Sequence, residues 1–178
     1  MHTFFQKNAD STIVFEHNTD GYDPNYYFIL TKTGDTINAF RYLAKLKYEK
    51  VKMPKMLKLI ISLEKYKGID VPAAINQYFN VVDLNEDTLK LLWKEADRLN
   101  TWKIVEDNSP VYCKNEKKVS SPIHCGDLML QLITKDKIKL LNFNCPWVEE
   151  ERCPGNFNRK GAIGVDALFR KHFPNMYN

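Results

Sequence analysis

The chain has 178 residues, 44% hydrophobic and 27% charged, a balance that excludes a disordered polymer and leaves enough apolar material for a self-sufficient core. Its net charge of +4 comes mostly from dispersed lysines, with arginine only at Arg41, Arg98, Arg152, Arg159 and Arg170. Lysine is a hydrated point charge without the guanidinium fork that reads phosphate and guanine, which argues against nucleic acid as a partner. The longest apolar stretch, around Met56 to Leu63 and interrupted by Lys58, falls far short of the roughly 20 residues of a membrane span, so no transmembrane segment is expected.

Met1 to Lys7 shows no basic start, apolar stretch and small-residue cleavage site, and so no signal peptide. The protein is cytoplasmic if Met1 is native and extracytoplasmic if an export signal has been removed. Residues 12 to 17 are β-branched and aromatic and predict a strand, followed by a dense turn cluster from Asn18 to Asn25. Tyr26 to Thr33 and Thr36 to Leu43 are two further apolar runs about Gly34-Asp35, the pattern of a hairpin.

A lysine-rich connection from Lys45 to Lys55 contains Pro54, which breaks a helix; Met56 to Tyr66 then fits a helical stripe better than alternation. Gly68 and Pro72 bound a short apolar piece, Ala73 to Phe79. Leu89, Leu92, Trp93, Ala96 and Leu99 recur at three and four residues and predict an amphipathic helix over 86–99. Asp83 and Glu86 have the spacing of a capping box, and Asn100 is a suitable terminator before a strand over 102–105.

Beyond Asp107-Asn108-Ser109-Pro110, Lys114 to Ser121 reads as an exposed loop, and Leu128 to Ile133 with Ile138 to Phe143 as a second hairpin. Cys145 to Asn158 reads as a long irregular loop, and a helix from about Ala162 to Phe173, with Ile163, Val165, Leu168 and Phe169 inward, is stopped by Pro174. The sum is an α+β fold: antiparallel sheet elements from both ends of the chain, with two main helices packed on one face. One domain over 1–178 is expected, with a possible cysteine-bearing subregion over 109–178.

All four cysteines, Cys113, Cys125, Cys145 and Cys153, fall in the last two fifths of the chain. Eleven, nineteen and seven residues separate them, so no tight knuckle exists for a tetrahedral metal site and no metal is expected. Four loop cysteines fit one or two disulfides, with three full pairings open; the competing reading is four reduced thiols packed as small apolar side chains. Disulfides would place the protein outside the cytoplasm.

The catalytic material is sparse. Only 7 glycines are present, too few for Gly-rich phosphate loops, and no cofactor is implied. Cys125 stands beside His124, but a catalytic thiol and imidazole meet through the fold and not through adjacency. His17-Asn18-Thr19 resembles one half of the two-histidine phosphoesterase pattern, which implies an imidazole as acid or base and a hydroxyl on the phosphate. The second half would be His124-Cys125-Gly126, where Gly126 lacks the hydroxyl.

Glu149-Glu150-Glu151 reads as a solvated run. Tyr22, Tyr26 and Trp147, aromatic side chains beside polar loops, are candidates for a recognition surface, since they bring large contact area with little rotamer entropy. The leading expectation is therefore a secreted, disulfide-bearing, non-enzymatic binding domain whose partner is a protein or a small ligand. The alternatives are a phosphodiester-directed enzyme using His17, Thr19 and His124, or an anionic-polymer binder using the lysines from Lys45 to Lys67.

Overall fold

A computed structural model describes residues 2–18, 26–43, 79–106 and 125–173. Among them run α1 (His2–Asn8), β1 (Ser11–Asn18), β2 (Tyr26–Thr33), β3 (Thr36–Leu43), β4 (Phe79–Val81), α2 (Glu86–Arg98), a 3-10 turn (Thr101–Lys103), β5 (Asp127–Thr134), β6 (Ile138–Asn144), α3 (Pro146–Arg152) and α4 (Phe157–His172). The strands form one antiparallel sheet of six in the order β4-β3-β2-β1-β5-β6. β1 lies between β2 and β5, with Ser11 opposite Thr134 and Asn18 opposite Asp127, so strands from both ends of the chain share one ladder.

Local chemistry sets the turns. Gly34 takes φ +57° between the paired Thr33 and Thr36, a left-handed geometry that glycine reaches without a Cβ clash and that a two-residue hairpin turn requires. In the other hairpin, Thr134 and Lys137 close the turn through Thr134 N–H to Lys137 O at 2.8 Å.

Period-2 alternation then sorts the strand residues. Ile13, Phe15, Phe28, Leu30, Leu128, Leu130, Leu132, Leu141 and Phe143 point to one face, where Leu89, Leu92, Trp93 and Ala96 of α2 and Val165, Leu168 and Phe169 of α4 cover them. The fold is α+β, with both main helices on this face. Phe169 stacks between Phe15 and Phe173, with ring centroids 5.3 and 5.5 Å away. On the opposite face α1 inserts Phe5 beside Val14, Tyr27, Ile29 and Ile133, and His2 Nε2 donates to Gln131 Oε1 at 2.7 Å.

Several sequence expectations change. The N-cap of α2 is Asn85, not Asp83: its side chain accepts from Thr88 N at 2.8 Å, while Asp83 is exposed two residues upstream. Residues 102–105 are not a strand. Asn100 adopts the left-handed conformation that ends α2, and the chain continues through the 3-10 turn to Ile104, fully buried under α4.

The supposed loop of 145–158 contains α3, started by Pro146 at its first turn, and the beginning of α4, capped by Asn156 accepting from Arg159 N at 3.1 Å. α4 thus begins five residues before Ala162. Its early turns hold Gly161 and Gly164, which lower helix propensity but let the helix approach Ile104 and Leu99 closely. α1 and β4 had no periodic signal. The expected stripe over 56–66, the connection over 45–55, most of the piece over 73–79 and the loop over 114–121 lie outside the described residues.

Candidate functional site

Cys125 and Cys145 form a disulfide, Cα to Cα 5.1 Å, just past the open end of the β5–β6 hairpin. Cys145 N–H donates to Gly126 O at 3.1 Å, so the bridge prolongs the ladder beyond its last pair, Asp127 and Asn144. This pair agrees with the disulfide reading of these two cysteines. Cys153 is disulfide-bonded as well, and there is no free cysteine among the described residues. Cys113 lies outside them.

These two oxidised cysteines bracket α3. Cys145 is its N-cap, at φ 45° and ψ 45°, and Cys153 is its C-cap. A helix of 7 residues is too short to hold itself, and its last carbonyls need donors. Cys153 N–H closes the last turn on Glu149 O at 2.9 Å, and Arg159 of α4, 2% exposed, braces that end: its Nη1 donates to Glu149 O at 2.6 Å and to Cys153 O, just past the helix, at 3.0 Å.

The acidic run proves only partly solvated. Glu149 pairs with Arg152 at 2.9 Å; Glu150, 17% exposed, lies 3.6 Å from Arg159 and accepts Gly155 N–H at 2.6 Å; Glu151 alone of the three is exposed.

The first turn of α3 carries Trp147 to the wall of an open cleft of about 550 Å³, which Cys125, Ile163, Asp166, Ala167 and Arg170 also line. The α4 residues stand at i, i+3, i+4 and i+7, one stripe of the helix beside its core stripe. Ile163, expected inward, is half-buried on this stripe. Asp166 is 3% exposed and accepts from Arg170 Nε at 2.7 Å, and the Arg170 guanidinium carbon lies 6.0 Å from the centre of the Trp147 ring. The cleft combines an indole, two aliphatic side chains, a disulfide wall and one ion pair: apolar contact area with a fixed dipole to orient what enters.

Of the residues singled out from sequence, the structure brings Trp147 and Cys125 together at this cleft, with Cys145 bonded to Cys125. Asp166 and Arg170 were missed; their signal is the i, i+4 spacing of opposite charges beside the apolar stripe of α4. Tyr26 opens β2 opposite Leu43, with only its backbone described, and Tyr22 lies outside the described residues. His17 sits on β1 opposite Leu128, again by backbone alone; Thr19 and His124 lie outside the described residues, as do Lys45 to Lys67.

Burial, and next the charge of Lys171, push the His172 imidazole below its ordinary 6.5. Among the described residues no group of three His, Cys, Asp or Glu could hold a metal ion, and no helix is long and apolar enough to cross a membrane. Comparison with protein-family models, curated proteins and solved structures finds no match.

Proposed function

We propose that the chain is an extracytoplasmic binding domain that takes a small ligand, or a short side-chain-bearing segment of a partner, in the cleft beside Trp147. The observation that carries this reading is the placement of Trp147: a large rigid aromatic side chain on a cleft wall that a disulfide pins to the sheet. The cleft is open, its volume of about 550 Å³ is in the range of small-molecule sites, and its lining joins apolar side chains with the Asp166–Arg170 ion pair. The oxidised state of Cys125, Cys145 and Cys153 favours an oxidising compartment, where such bonds persist.

Two measurements test it. Protein recovered from its native compartment and alkylated without reductant should keep its mass; four alkylated thiols would remove the compartment assignment. Fragment screening by NMR should give ligands that shift the Trp147 indole N–H and lose binding in Trp147→Ala. Hits that ignore this substitution would remove the cleft. Hydrolysis of a phosphodiester, abolished by His17→Ala, would replace the binding reading with the catalytic one.

A further inference from the structure

We infer that the Cys125–Cys145 bridge is a reductively opened clasp that sets the position of Trp147, and hence the shape of the cleft; this regulation rests on the binding reading given above. The argument starts from a difference in access. Cys125 and Cys145 are half-buried and Cys125 itself faces the cleft, whereas Cys153 is 8% exposed, its carbonyl held by the buried Arg159. Attack on a disulfide needs an approach path for the incoming thiolate, and the cleft gives one at Cys125, whereas Cys153 is buried.

Backbone geometry gives the opening a direction. Cys145 is a non-glycine residue in the left-handed region, φ 45°, and it makes no side-chain capping hydrogen bond to α3. Such a conformation persists where the surroundings impose it. Here they are the bond to Cys125 and the Cys145 N–H to Gly126 O contact, with Pro146 following at once. When the covalent bond is cut, Cys145 is free to leave this region and to draw Trp147, two positions on, from its packing against the core and Arg170.

The far end of α3 stays where it is. Cys153 remains oxidised, and Arg159 still holds the Glu149 and Cys153 carbonyls. α3 therefore swings about its C-terminal end. The sheet does not depend on the clasp, because seven residue pairs from Asp127–Asn144 to Ile133–Ile138 join β5 to β6.

The chemistry balances with a dithiol as the named reductant. Its thiolate attacks one bridge sulfur to give a mixed disulfide and expels the other as a thiolate. Its second thiol displaces the first protein sulfur, closing the reductant to a cyclic disulfide, and two electrons and two protons pass to Cys125 and Cys145.

The test titrates the full chain with dithiothreitol, followed by alkylation and peptide mass spectrometry, with the indole N–H resonances recorded in parallel and assigned by Trp147→Phe. Cys125 and Cys145 should be alkylated roughly tenfold faster than Cys153. At that stage the Trp147 indole signal should move and its quenching by acrylamide rise, while the β5 and β6 amide signals stay in place. The double variant Cys125→Ser/Cys145→Ser should show the displaced signal without reductant.

Labelling of Cys153 together with or ahead of the other two overturns the inference, and so does a Trp147 signal unchanged once both clasp sulfurs are alkylated. Because these readouts use no ligand, their failure is separate from the failure of the binding reading, which fragment binding to the oxidised protein scores.

Discussion

Arg159 Nη1 donates to the Cys153 carbonyl at 3.0 Å from a side chain 2% exposed, so a buried cation ends α3 where one of its bracketing cysteines sits. The same nitrogen takes Glu149 O, and Glu150 lies 3.6 Å away. Replacing Arg159 by Met keeps much of the volume but leaves two carbonyls without this donor and the largely buried Glu150 with Lys160, 3.8 Å away, as its remaining cation. The expected loss is about 3 kcal/mol, read from the urea midpoint. Arg159→Lys should recover little of it, because an ammonium lacks the planar fork.

The reassigned cap of α2 gives a paired test. Asn85→Ala removes the side-chain acceptor of Thr88 N–H and should cost about 1 kcal/mol in thermal or urea unfolding. Asp83→Ala, two residues upstream and exposed, should change stability by less than about 0.5 kcal/mol. A reversed order would restore the capping box at Asp83.

The residues that behaved as their spacing indicated are those whose partners are local or periodic. Leu89, Leu92, Trp93 and Ala96 face the core because a 3.6-residue repeat leaves them no other common side, and the strands at 26–33 and 36–43 pair about the Gly34 turn that separates them. What sequence did not show is set by distant partners. Pro146 and the glutamates after it looked like loop because the donor that completes their helix, Arg159, is ten residues beyond Glu149. Trp147 was legible as a binding candidate by its chemistry alone. The cleft it lines was not, since Cys125 reaches it only through the hairpin and Asp166 and Arg170 only through the packing of α4.

Gly161 and Gly164 separate close packing from helix propensity. A Cβ at Gly161 would stand 2.8 Å from Ile104 Cδ1 and 3.0 Å from Cγ1, against a side chain with no exposure and little room to turn. A Cβ at Gly164 meets Leu99 Cδ2 at 2.8 Å, but Leu99 is half-buried at the helix margin and can rotate away. Gly161→Ala should destabilise by about 1–3 kcal/mol. Gly164→Ala should be neutral or gain up to about 1 kcal/mol from helix propensity. Thermal melts of the two variants decide this.

Asp10 joins the two hairpin turns: it pairs with Lys135 at 2.6 Å and accepts Gly34 N–H at 2.7 Å. The hydrogen bond and charge of Lys135, with the Gly34 amide, hold its carboxyl below the ordinary 3.8. A depressed folded-state pKa means that this contribution is present above the unfolded value and is lost as pH falls through the folded one. Asp10→Asn should therefore flatten the fall of stability below about pH 4 and change its slope little between pH 6 and 8. An acid limb identical in both proteins would show that the contact is too well screened to matter.

The disulfides make the sharpest covalent prediction. With Cys125 and Cys145 joined to each other, Cys113 is the cysteine left in the sequence to pair with the oxidised Cys153, so non-reducing peptide mapping should return these two links and no crossed ones. Cys125→Ser/Cys145→Ser opens a bridge spanning 20 positions and should cost about 3 kcal/mol of global stability by relaxing the unfolded chain. A fold of this size keeps roughly 5–15 kcal/mol, so the sheet should survive and the loss should appear as a shifted urea midpoint. A crossed link between Cys145 and Cys153 would contradict the geometry at its root, since α3 holds these two residues at opposite ends of one helix.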